Sequence, residues 1–189
     1  LKLILLLIFI CQSAICQVST NKGGFSSKEY SKEIALYKAK AFILKDILSE
    51  STEAIQLEIY PLAAAYSGEL TSLVYFCKKL NKEGLVLGFY NDVWNKNGVF
   101  FSSYGYKNLS KDSALILLKK IDDLIRQNST YLSDNIDYNN SYFYFDDMMM
   151  LIYKDNVRTR IRVFWNDFDS EWDMTAFSRT KKRFQQKVD

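Results

Sequence analysis

The sequence predicts an α+β protein built on an antiparallel sheet of about six strands, in the order α-β-β-β-β-α-β-β-α, with helices packed on the sheet. Three observations lead there. Val157-Arg158-Thr159-Arg160-Ile161-Arg162-Val163 alternates without fault, which is the period of a strand. Asn97-Gly98, set between apolar runs, is the strongest hairpin signal in the chain. Stretches opening at Ser26 and Ser110 place apolar residues at steps of three and four behind a capping residue, the mark of amphipathic helices.

In chain order, Lys2 precedes the run Leu3-Ile4-Leu5-Leu6-Leu7-Ile8-Phe9-Ile10, a charged start with a short apolar stretch of the kind that directs export. The run is too short to cross a bilayer as a mature helix. Residues 1–16 are therefore read as a secretory signal cleaved after Cys16, which leaves Gln17 as the mature terminus. Residues 17–25, with Gly23-Gly24, are read as a flexible leader. The rest, 26–189, is read as a single α+β domain with no mature transmembrane segment, exported to the periplasm, the cell surface or the exterior.

Ser26 with Glu29 forms a capping-box pattern, and Tyr30, Ile34, Tyr37, Ala41, Leu44 and Leu48 continue as one apolar stripe. Ile55, Leu57 and Ile59 alternate with polar residues, and Pro61 marks that strand as an edge or a bend. Runs 70–80, 85–90 and 99–106 follow as a meander, turned at Asn81-Gly84 and at Asn97-Gly98. Ser110 caps a second helix with Ala114, Leu118, Ile121 and Ile125 on one face, and 128–140 is polar enough to read as a long loop. The run 142–153 then pairs with 157–163. With Asp155-Asn156 as the turn, Tyr153 opposes Arg158, Leu151 opposes Arg160 and Met149 opposes Arg162, while Met148, Met150 and Ile152 face the core.

Composition excludes several chemistries. Histidine is absent, which removes Ser-His and Cys-His nucleophile activation, the usual near-neutral general base and every His-containing zinc site. Of the three cysteines, Cys11 and Cys16 fall in the signal, and Cys77 lies in a strand-like run as a small buried hydrophobe. No phosphate-binding glycine loop, Cys-x-x-Cys pair or internal repeat is present, so no cofactor and no metal is expected. A net charge of +3 does not argue for a nucleic-acid partner.

Two places could carry function. The strand at 157–163 projects Arg158, Arg160 and Arg162 from one face beside Tyr153, a row that suits a protein partner or an acidic polymer. Past its end, Asp167, Asp169, Glu171 and Asp173 alternate with other residues, as oxygen ligands do in a calcium loop. Trp172 and Ser178 stand where that loop needs its glycine and closing glutamate. Ser170 followed by Asp173 reads instead as the cap of a terminal helix with a basic face. Asp146 and Asp147 lie at the same end of the hairpin as Asp167 and Asp169, and two close carboxylates can divide acid and base duties as they do in glycosidases. The expected function is an exported, non-catalytic binding or interaction protein. A small hydrolase using those four acids is the alternative, and calcium binding the third.

Overall fold

A computed structural model describes residues 35–48, 50–94, 97–156 and 158–189. Lys38–Asp189 form one compact unit, and of the unit Leu1–Tyr37 only residues 35–37 are described, as helix. The expected signal, leader and Ser26 cap lie outside the described residues, as do Tyr30, Ile34 and Val157.

The α+β class holds, with eight strands in two sheets in place of about six in one. The first sheet is an antiparallel meander of β1 (Glu58–Ala64), β2 (Leu70–Cys77), β3 (Lys82–Trp94) and β4 (Phe100–Ser110) in that spatial order. Helices α1 (Lys111–Gln127) and α2 (Ser129–Asp134) carry the chain away from β4. A second meander follows, β5 (Asn140–Phe145), β6 (Met148–Asp155), β7 (Arg158–Trp165) and β8 (Phe168–Asp173), closed by α3 (Met174–Val188). The two extra strands have local causes. Asp146 and Asp147 break the run 142–153 into a hairpin, with Asp146 in the left-handed region at φ +55°. The acidic stretch 168–173 is itself a strand, since its period of two puts Ser170 and Trp172 inside and the carboxylates outside.

The register of β6 with β7 differs from the expected one by two residues. Asp155 opposes Arg158, Tyr153 opposes Arg160, Leu151 opposes Arg162 and Met149 opposes Phe164. The turn begins at Asn156, whose φ of +52° is the conformation asparagine tolerates best after glycine. The sum of paired residue numbers changes by two, so every side chain keeps the face that alternation assigned it.

Most of the core is one cluster. It joins Leu70, Val74, Leu85, Leu87 and Phe89 of the first sheet with Met148, Met150, Ile152, Ile161, Val163 and Trp172 of the second, and is filled by Leu117, Leu118 and Ile121 of α1 and Phe177 and Phe184 of α3. At the junction Phe89 meets the rings of Trp165 and Phe168 at centroid separations of 5.1 and 5.8 Å. Gly105 makes room for this contact, because a Cβ there would stand 2.5 Å from Phe168 and 2.9 Å from Trp165. A buried hydroxyl pair, Ser72 with Thr180 at 2.6 Å, ties β2 to α3, with the Ala63 carbonyl within reach of Ser72 and the Ala176 carbonyl within reach of Thr180 as acceptors.

The other face of the first sheet is also covered. Leu73, Tyr75, Cys77 and Val86 are buried there with Ala39 and Ile43, which come from the helical residues 38–42 and the π turn Ile43–Ile47. Phe42 stacks on Tyr106 at 5.5 Å and Lys38 lies over the Tyr104 ring at 4.0 Å. This helix uses a different stripe from the expected one: Ala39 and Ile43 are buried, and Leu44 is 57% exposed. Ser110 caps α1 as expected, accepting from the Ser113 amide. At α3 the cap is Asp173, accepting from the Ala176 amide at 2.9 Å; Ser170 is fully buried and its hydroxyl has no partner among the described residues. No described helix is long and apolar enough to cross a membrane.

Candidate functional site

The outer face of the second sheet is built by register. Three rows cross its four strands: Asn140, Tyr153, Arg160 and Asp173; Tyr142, Leu151, Arg162 and Glu171; Tyr144, Met149, Phe164 and Asp169. Read down the strands, these rows become an aromatic column on β5, an apolar column on β6, a cationic column on β7 and an acidic column on β8. Tyr142 and Tyr144 are 68% and 65% exposed, and Leu151 and Met149 are half-buried beside them.

Within this face two of the three arginines are engaged by carboxylates. Asp173 is occupied by the Ala176 amide and, at 2.7 Å, by the Tyr66 amide, so Arg160 leans diagonally to Glu171 and also reaches Asp155 at 3.2 Å. Arg162 follows the same diagonal to Asp169, with Nε 2.7 Å from the carboxylate. These hydrogen bonds, led by Glu171 for Arg160 and by Asp169 for Arg162, raise the pKa of both guanidinium groups. Arg158, opposite Asp155 at the end of the strand, is exposed. The arrangement offers a locked, flat pattern of charge over apolar surface.

The acidic end divides among different partners. Lys107 of β4, whose side chain is only 14% exposed, reaches both turn carboxylates, Asp146 at 2.5 Å and Asp147 at 2.6 Å. The Trp165 indole donates to Asp147 at 2.9 Å. The hydrogen bond from Lys107 holds the Asp147 carboxyl below its ordinary value; burial opposes this and the indole assists. For Lys107 burial alone would lower the pKa, and the bonds to the two aspartates outweigh it. A general acid needs a raised carboxyl, and Asp147 moves the other way. Asp169 belongs to Arg162, and Asp167 sits in the adjacent β7–β8 turn. Among the described residues no group of three or more acids or cysteines is placed to hold a metal ion.

Two shallow surface depressions lie elsewhere. One of about 410 Å³ is lined by Asp122, Lys181 and Gln185, and one of about 430 Å³ by Tyr60, Leu62 and Arg183, both along α3. No protein-family model matches the chain, and neither does any curated protein or solved structure.

Sequence reasoning singled out Arg158, Arg160, Arg162 and Tyr153, and the register places them on this one face. It missed Tyr142 and Tyr144. Their signal was the alternation Tyr142-Phe143-Tyr144-Phe145, which ends at a pair of aspartates and marks an amphipathic strand of its own.

Proposed function

We propose that the chain is an exported, non-catalytic binding protein that meets a protein partner through the outer face of its second sheet. The observation that carries this reading is the pair of exposed rings Tyr142 and Tyr144 beside half-buried Met149 and Leu151, with no cover among the described residues, next to the paired charges on β7 and β8. Aromatic rings and arginines are the side chains that contribute most to protein interfaces, and a contiguous exposed apolar patch marks such sites. Because Glu171 and Asp169 already neutralise Arg160 and Arg162, the face suits a partner with mixed charge better than an acidic polymer.

Photo-cross-linking from the Tyr144 position in the exported fraction tests this. A discrete adduct that is lost in a Tyr142→Ser/Leu151→Ser variant is expected, together with a mature chain beginning at Gln17. An adduct unchanged by those substitutions, or cytoplasmic retention of the intact chain, contradicts it. Strong salt-sensitive retention on an immobilised polyanion, abolished by replacing Arg158, Arg160 and Arg162 with Gln, would transfer the site to an acidic polymer.

A further inference from the structure

The edges of the two sheets are treated differently. β1 carries Pro61 and a register break between Pro61 and Ala63, and the Leu62 carbonyl inside that break accepts from Arg183 of α3. On β8, the Glu171 amide donates to the Glu69 carboxylate at 2.9 Å, which stops the ladder from continuing. Proline, bulges and side chains placed across an edge are the usual devices that keep strands from pairing with strangers.

β5 has no proline and no break in register, and the one charge the described contacts place against it is Lys120 of α1, whose ammonium lies 4.5 Å from the Phe143 ring centroid. Asn140–Phe145 contains no proline, glycine or lysine, its six pairs with β6 run without a break, and β6 is its sole strand neighbour among the described residues. Its centre, Tyr142-Phe143-Tyr144, reads the same in both directions. An antiparallel pairing of two such strands about Phe143 sets each copy's Tyr142 opposite the other's Tyr144, and Phe143 opposite itself. The period of two then keeps faces together: the buried Phe143 side continues the core and the exposed tyrosines meet on the outer face.

We infer that β5 is a dimerisation edge whose occupant is β5 of a second copy, related by a two-fold axis through Phe143. The pairing joins two four-stranded sheets into one of eight strands, and it closes the edge, as an isologous contact must. It rests on the edge and its symmetry, and does not depend on the binding role of the outer face.

Sedimentation equilibrium of the mature chain should show a concentration-dependent rise from one chain mass to two. Tyr142→Lys/Tyr144→Lys puts charge on both exposed positions without touching the core and should return the chain to a single mass. Register is tested by thiols. A mixture of the Tyr142→Cys chain with the Tyr144→Cys chain should form a disulfide-linked pair under mild oxidation severalfold faster than either chain alone, because like positions are diagonal to each other. A chain that stays single at every concentration overturns the inference, as does a dimer that survives the lysine pair or cross-linking no faster in the mixture. A Tyr144 adduct of two chain masses is the dimer's own, so binding through the outer face is judged on an adduct with a different protein and on its loss in Leu151→Ser alone, at a position on β6 away from the edge.

Discussion

The two sheets share a plan and differ in what lies on them. Each is an antiparallel meander of four strands whose last strand runs directly into a capped helix, Ser110 for α1 and Asp173 for α3. The first sheet has cover on both sides, so Leu85, Val86 and Leu87 are buried in succession. Among the described residues the second has cover on one side, and β6 alternates, with Met148, Met150 and Ile152 buried and the residues between them half-exposed. Burial on two faces rewards a continuous apolar run and burial on one face rewards alternation. Among the described residues the second face of the second sheet exposes Tyr142 and Tyr144, whereas the second face of the first sheet buries Val86.

The junction between the sheets is where the comparison breaks most easily. Gly105→Val should force apart the Phe89, Trp165 and Phe168 rings and cost about 1–3 kcal/mol by overpacking, read as a lower urea midpoint. Next come the two polar residues at the end of the second sheet. Asp173→Ala removes the α3 cap and the Tyr66 amide bond together and should cost about 0.5–2 kcal/mol, whereas Ser170→Ala deletes a buried hydroxyl that has no partner among the described residues and should leave stability unchanged or slightly higher. The smallest effect belongs to the Lys107 bridge. Its contribution through Asp147, whose folded pKa is depressed, is fully present above the ordinary value of 3.8 and is lost as pH falls through the lowered one. Through Lys107, whose pKa is raised, the bridge persists until pH climbs beyond 10.5. Urea unfolding between about pH 5 and about pH 2 should therefore show an acid loss that is shallower in Lys107→Met than in wild type.

Side-chain periodicity made much of this legible. Ser110 and the α1 face, the buried Cys77, and the inward and outward sets of β6 and β7 all follow from composition and spacing. What escaped depends on choices that alternation leaves open. A turn at Asp155-Asn156 and one starting at Asn156 satisfy the same faces, and the observed pairing of Asp155 with Arg158 is that of the second. The alternation Asp169, Ser170, Glu171, Trp172, Asp173 resembles ligand or cap spacing although it is the period of a strand, because charged residues mask β character. The division into two sheets, and with it the bare outer face, depends on which edges meet across the α1–α2 connection. Local pattern carries no information about that.

The second face of the first sheet is core, with Val86 buried, and the outer face of the second exposes Tyr142 and Tyr144. Equilibrium unfolding of two variants side by side tests this contrast most directly. Val86→Ser, which loses buried apolar surface and leaves a hydroxyl inside, should cost about 2–5 kcal/mol. Tyr142→Ser/Tyr144→Ser, measured at concentrations where the chain is single, should cost less than about 1 kcal/mol in total. A tyrosine pair as costly as Val86→Ser would mean that the face is packed within its own chain, and would contradict the account.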